Sequence, residues 1–184
     1  LLKTMAEEIK KLAEKAQILD ESILERALEI YREIEDEPFS EENKAIASIY
    51  LACYESRCTA IRKLPKPKTK ILKKARERAR IKPSLEAIDW IDSVCELINR
   101  KESVPEKARE ILEKYKKRYP KGYYEDEPII TASAAVYIAS KLCGRPLTQE
   151  YLGNELKIST STIRKKYRDI IEKLPEYSWL VRFL

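Results

Sequence analysis

Histidine is absent from the 184-residue chain, glycine occurs only three times, and the four cysteines include no Cys-x-x-Cys pair. Each absence removes a class of protein. Without histidine there is no usual general base and no triad member, and no apolar cleft signal with paired carboxylates replaces them. Cys53, Cys58, Cys95 and Cys143 are widely spaced within apolar helical patterns. With no paired thiols and no histidine they argue against structural zinc, and the expectation is buried reduced thiols with no metal or cofactor. So few glycines, with 37% charged residues, exclude a turn-rich sandwich or barrel and favour helices laced with ion pairs. No apolar run approaches the roughly 20 residues that span a bilayer, and no signal peptide is visible. The chain is expected to be soluble, intracellular and free of the membrane, a binding protein and not an enzyme.

What is present is apolar periodicity. Hydrophobic residues make up 43% of the chain, enough to fill a core, and the length suits one large domain or two small ones. A first helix over 4–16 would turn Met5, Ile9, Leu12 and Ala16 inward. Asp20 caps a second through Ile23, Leu24, Ala27, Ile30, Tyr31 and Ile34, ending before Pro38. Ser40 opens a third whose 45–53 stretch is apolar almost all round, which suits the centre of a bundle. Pro65 and Pro67 interrupt 59–68 ahead of the basic stretch 71–80. Pro83 and Ser84 mark a boundary, with Ser84 capping a helix through Leu85, Ile88, Ile91, Val94 and Cys95.

The most informative stretch is 147–167, which reads as a helix-turn-helix. Thr148 caps a short helix with Leu152 and Leu156 on one face, and Gly153 between them allows close approach of a second helix. The cluster Ser159 to Thr162 caps that second helix, whose apolar stripe is Ile163, Tyr167, Ile170, Ile171 and Leu174. Its other face carries Arg164, Lys165 and Arg168. In this motif the second helix enters the DNA major groove with its first turn toward base edges, where small hydroxyls such as Ser159, Ser161 and Thr162 followed by Arg and Lys fit. Paired amphipathic helices are also common in helical proteins at large, so the rest of the chain must decide.

The pattern recurs. Ile23-x-x-Arg26-Ala27-x-Glu29-Ile30 returns as Val104-x-x-Lys107-Ala108-x-Glu110-Ile111, an offset of 81. Ala47-x-Ile49-Tyr50-Leu51-Ala52 returns as Ala134-x-Val136-Tyr137-Ile138-Ala139, an offset of 87, and Lys73-Lys74-Ala75-Arg76 as Lys165-Lys166-Tyr167-Arg168, an offset of 92. Three matches in one order favour two copies of a five-helix unit, residues 1–82 and 83–184. The first copy is five residues short where the second has 148–156, and its two prolines oppose a helix there. Only the second copy is expected to hold a complete helix-turn-helix, and a regular helix of eight or more residues within 59–68 would contradict this.

Charge is polarised. Residues 57–82 carry twelve basic residues against Glu77 alone, a net of +11, while 1–56 carry seven basic and fourteen acidic, a net of −7. Such a basic run, with Lys70, Lys73, Lys74, Arg76 and Arg80 in it, suits phosphate contacts and steeply salt-dependent binding better than a merely solvated face.

These features resemble a known family. Two cyclin-like five-helix repeats, a third helix reading Ala134-Ala135-Val136-Tyr137-Ile138-Ala139, and Thr148-Gln149 leading to Thr162-Ile163-Arg164-x-x-Tyr167 look like the core domain of transcription factor IIB, archaeal versions above all. The resemblance implies an all-α general initiation factor that binds promoter DNA and the TATA-binding protein, as a monomer. The second repeat would read an element upstream of the TATA box while the first grips DNA on the other side. It implies that Arg164 reaches a base, that Gln149 and Thr162 lie at the DNA surface, and that Lys165, Lys166 and Arg168 meet phosphates or solvent. Ser161 stands where the family often has an apolar residue, which puts sequence preference in question, and Lys157 where a turn glycine is usual. The family's zinc ribbon and polymerase-entering segment have no counterpart here, so RNA polymerase is a partner expected of a full-length protein only. Localisation follows the genome, a nucleoid-associated cytoplasmic protein if archaeal and a nuclear one if eukaryotic. A cyclin-like protein-interaction regulator or a gene-specific helix-turn-helix regulator would share parts of this pattern.

Overall fold

Every regular element among the described residues is helical. The computed structural model describes residues 2–82 and 86–183. The boundary at Pro83, the cap at Ser84 and the helical position of Leu85 lie outside the described residues. The chain divides into two compact units, 1–84 and 85–184, each built on one helix that is buried nearly all round.

The first unit comprises α1 (Leu2–Ala16), α2 (Glu21–Glu33), α3 (Glu41–Glu55), a 3-10 turn at Thr59–Lys63 and α4 (Thr69–Arg78). Helix α3 packs against the other three, with Ala45, Ala47, Ile49, Leu51, Ala52 and Cys53 buried. A stripe-free apolar helix has nowhere else to go. Even Lys44 is interior; its ammonium donates to the Glu35 carbonyl at 2.6 Å and pairs with Glu41 at 3.4 Å. The local start signals hold as read. Asp20 accepts from the Ser22 amide at 2.9 Å and Ser40 from the Asn43 amide at 3.3 Å, caps worth about 1 kcal/mol each. In α1 the buried row is Met5, Ile9, Ala13 and Ala16, whereas Leu12 is half-exposed. Steps of four keep a row in register along a helix, and Leu12 falls at the edge of that row.

The second unit runs through a 3-10 turn at Ala87–Trp90, α5 (Ile91–Leu97), α6 (Val104–Arg118), α7 (Pro120–Glu125), α8 (Pro128–Leu142), α9 (Gln149–Leu156), α10 (Thr160–Lys173) and a closing 3-10 segment, Pro175–Phe183. In α8 every residue from Ile129 to Ser140 is buried. The single helix expected from 84 to 95 is instead two pieces. The Asp89 carboxylate accepts from the Glu86 amide at 2.7 Å, which holds a tight 3-10 turn before α5 begins.

The two units are copies. Helices α3 and α8 are both fifteen residues long and offset by 87 at each end, and α2 pairs with α6 as α4 does with α10. The offset rises from 81 to 87 because α6 runs four residues further past the match than α2 does and the connection holding α7 is two residues longer than the α2–α3 connection. In the position of α9 the first unit has only the five-residue 3-10 turn, so the complete helix-turn-helix belongs to the second copy alone.

Scarce glycine has a cost at the helix ends. Among the described residues, six helices stop on a left-handed residue, and one of these is glycine: Gln17, Arg57, Arg80, Asn99, Gly144 and Lys157. Each stop is closed by a backbone bond from the following residue to a carbonyl five residues back, as in Cys58 to Cys53 at 2.9 Å and Ile158 to Gly153 at 3.0 Å. That is the Schellman pattern, in which a side chain at the left-handed position is strained. The four thiols are free, but only Cys53 and Cys95 are buried; Cys58 and Cys143 are partly exposed, contrary to the expectation from their apolar surroundings.

Candidate nucleic-acid interface

Helices α9 and α10 are set by their caps and by one missing side chain. The Thr148 hydroxyl accepts from the Tyr151 amide at 3.1 Å, and the Ser159 hydroxyl from the Thr162 amide at 3.2 Å. Leu152, Leu156 and Ile158 are buried. A Cβ on Gly153 would lie 2.5 Å from the Ile158 carbonyl oxygen, so it is the turn, more than the second helix, that needs glycine here. Lys157 closes α9 with φ 54 and ψ 44, the left-handed conformation that a glycine adopts without strain.

The expected apolar stripe of α10 is buried throughout: Ile163, Tyr167, Ile170, Ile171 and Leu174. Ser161, Arg164, Lys165 and Arg168 share the exposed face, at the spacing that puts residues one and two turns apart on one side. The remaining hydroxyls of the first turn are partly committed. Ser159 Oγ lies 2.7 Å from Thr162 Oγ1 and 3.1 Å from Ser161 Oγ. Ser159 and Thr162 therefore organise the helix start, and Ser161 is the exposed hydroxyl of the trio's helical members.

Gln149 turns out to be a bridge. Its side-chain amide donates to the hydroxyls of Tyr137 at 3.3 Å and Tyr167 at 3.2 Å, and its oxygen accepts from Arg164 Nε at 3.3 Å. The two tyrosine rings pack with centroids 5.1 Å apart, and Lys141 lies over the Tyr137 ring at 5.2 Å. The bond uses Nε, so the end of the Arg164 guanidinium formed by its two terminal nitrogens is not taken up by Gln149. A guanidinium oriented at one edge offers the other for a bidentate contact.

Lys166 corrects the expectation of a phosphate-contacting or solvated residue. It is buried, paired with Asp126 at 2.7 Å, and donates to the Gly122 carbonyl at 2.7 Å. Tyr115 donates to Asp169 from the facing side, and burial first, then that carboxylate, pushes its phenol well above the ordinary range. These contacts bolt α10 to α6 and α7. One flank of the exposed basic face is consequently acidic, a groove in which Glu125, Asp126, Asp169 and Glu172 line up with Arg164, Lys165 and Arg168. The opposite flank carries Lys141, Thr148, Gln149 and a single carboxylate, Glu150. A polyanion meeting α10 is repelled more strongly on the side with four carboxylates than on the side with one.

In the first unit, α4 divides its charges. Lys70, Lys73 and Arg80 are exposed, with no ion pair among the described residues. Lys74 and Arg78 are held by Glu37 at 3.6 and 2.6 Å, Arg78 also by Asp36 at 3.2 Å, and Arg76 lies over the Tyr54 ring at 4.9 Å. Of the five basic residues singled out there, Lys70, Lys73 and Arg80 are available, and Lys74 and Arg76 serve the fold as well. The sequence signal that separates them is the acidic run at 35–37, which the α2–α3 connection brings beside α4.

Comparison with known proteins accords with this geometry. The transcription factor TFIIB repeat profile matches residues 80–173. A transcription initiation factor IIB from Methanosarcina mazei is 30% identical over 172 residues, 85% of this chain and 50% of that protein. One from Methanopyrus kandleri is 31% identical over 185 aligned positions, 91% of this chain and 58% of that protein. One from Pyrococcus abyssi is 28% identical over 174, 85% of this chain and 56% of the relative. The chain spans about half the length of these three curated relatives.

Proposed function

The chain belongs to the transcription factor TFIIB repeat family, and from that premise we propose that it acts as the core of a general transcription initiation factor IIB. It binds promoter DNA together with the TATA-binding protein and reads DNA upstream of the TATA box through α10. The observation that carries this reading is the exposed row Ser161, Arg164, Lys165 and Arg168 with Arg164 steered by Gln149. A basic helix whose arginine is aimed by a second side chain is built for base-edge recognition more than for solvation. Lys70, Lys73 and Arg80 supply the first unit's sequence-independent grip on phosphates. RNA polymerase is engaged by the full-length protein. The reading is of a non-enzymatic binding protein working where the genome is. Among the described residues no helix is long and apolar enough to cross a membrane.

A gel-shift series tests this with promoter DNA, with and without the TATA-binding protein, at two salt concentrations. Binding that requires the TATA-binding protein is expected. Tight binding without it points to a gene-specific regulator, and no binding in any arm to a cyclin-like protein-interaction module. In the ternary complex Arg164→Ala should relax preference at one base pair by about 1–3 kcal/mol; an unchanged preference removes Arg164 as the reader.

A further inference from the structure

The first unit carries a pair of thiols that the DNA-binding reading does not use. Cys53 is buried on the last turn of α3, and Cys58 is partly exposed just past the end of that helix. Arg57, at φ 53, reverses the chain so that the Cys58 amide donates to the Cys53 carbonyl at 2.9 Å, and the two thiols hydrogen-bond to each other. A disulfide needs Cα atoms within about 7 Å, and residues joined by a backbone hydrogen bond meet that limit. At the matching second-unit positions, offset by 87, stand Ser140 and Arg145. The Ser140 hydroxyl simply donates to the Val136 carbonyl at 2.8 Å, so the arrangement is confined to the first unit.

We propose that Cys53 and Cys58 are a dithiol that low-molecular-weight disulfides convert reversibly into an intramolecular disulfide. Their roles are unequal. The Cys53 thiol donates to Cys58 and the Ala60 amide adds a second donor, with Lys63 nearby, and together these hold Cys58 below the ordinary thiol range against burial and the Asp20 charge. Cys53 is held protonated by that same bond and by burial. The Cys58 thiolate attacks one sulfur of the oxidant, forming a mixed disulfide and releasing one thiolate. Capping Cys58 removes the acceptor that stabilised the Cys53 proton. Cys53 then loses that proton to solvent and attacks the Cys58 sulfur, releasing the second thiolate. Two protein thiols are oxidised and one small disulfide is reduced to two thiols. The new bond ties the end of α3 to the 3-10 turn Thr59–Lys63, which Cys58 precedes. Cys95, by contrast, is buried and pushed up to about 12 by that burial.

The test is oxidation of the whole chain with a graded series of glutathione disulfide near neutral pH, followed by acid quench, intact mass and peptide mapping. The expected product has lost two hydrogens, maps to a Cys53–Cys58 link, is reversed by dithiothreitol, and appears at about tenfold less oxidant than modification of Cys95 or Cys143. Cys53→Ser should instead accumulate a glutathione adduct on Cys58, because attack proceeds and resolution cannot. A lasting adduct on Cys58 of the unsubstituted chain overturns the proposal, as does oxidation that goes first to Cys95 or Cys143, or none at all. Mapping the unsubstituted chain decides the matter even if the Cys53→Ser protein folds poorly.

Discussion

Replacing Gly153 by alanine should destabilise the protein, although the same change inside an ordinary helix stabilises it. Alanine is the better helix former by about 1 kcal/mol. Against that, the new Cβ would sit 2.5 Å from the Ile158 carbonyl oxygen, a backbone atom. Relief needs a shift of roughly 1–1.5 Å to reach ordinary contact distance. The turn cannot swing freely, because the Ile158 amide is bonded to the Gly153 carbonyl at 3.0 Å and the Ile158 side chain is buried. Overpacking of this kind costs about 1–3 kcal/mol, so the net loss is up to about 2 kcal/mol, or up to roughly 8 °C in Tm for a chain of this size. Urea unfolding followed by circular dichroism measures it. The same shift tilts the start of α10, so DNA affinity in the ternary complex should fall as well. A midpoint equal to or above that of the unsubstituted protein would show that the turn yields and that the close approach does not set the angle of α10.

Other consequences follow from the same geometry. Lys157→Gly relieves a left-handed residue worth about 1–2 kcal/mol of strain and gives back about 0.5–1 in chain entropy, so the urea midpoint should rise; a fall would mean that the Lys157 side chain stabilises the turn by more than its strain. Lys70→Ala with Lys73→Ala should weaken binding to all DNA sequences alike and flatten the salt dependence by about 0.9 per lost phosphate contact. Lys74→Ala with Arg78→Ala should mainly lower stability, since Glu37 already holds both, and equal salt slopes for the two double variants would contradict that division. The Glu110 carboxyl is held down to about 2, from an ordinary 4.5, by hydrogen bonds from Lys107 and Lys114. Its contribution is complete above the ordinary value and disappears as pH falls through the lowered one. Glu110→Gln should therefore be less stable than the unsubstituted protein near neutrality, and the gap should close between about pH 5 and pH 2; a gap independent of pH would assign the effect to something other than ionisation.

Local signals were legible in the chain wherever the physics is local. Asp20, Ser40, Thr148 and Ser159 cap helices because a short oxygen-bearing side chain reaches an amide two or three residues on, whatever else the protein does. The buried helices α3 and α8, and the buried stripe from Ile163 to Leu174, follow from apolar spacing alone. So does the repeat, because two copies of one packing problem keep the same residues at the same intervals. Pro65 and Pro67 likewise forecast that 59–68 holds no regular helix. The step of six in the repeat offset was legible, but nothing in it said that the connection between α6 and α8 holds a helix.

Partnership between distant residues was not legible, and it decides the candidate interface. Lys166 stands three residues after Ile163 and four before Ile170, inside the apolar stripe, yet its charge reads as surface until Asp126 and the Gly122 carbonyl are brought to it from α7. Gln149 reads as a DNA-facing residue, and only the packing of α8 and α10 shows that it also bonds Tyr137, Tyr167 and Arg164. Lys74 and Lys73 are neighbours of the same type, and only the connection that carries Glu37 past α4 makes one an ion-pair partner and leaves the other exposed. The sequence by itself therefore determined most of the helices, their order, their duplication and the helix that presents a basic face, though not α7 or the break before α5. Tertiary structure alone decided which of those charges remain available to a partner, because a charge is neutralised by whatever the fold sets within a few ångströms of it, and that distance is not a property of sequence separation.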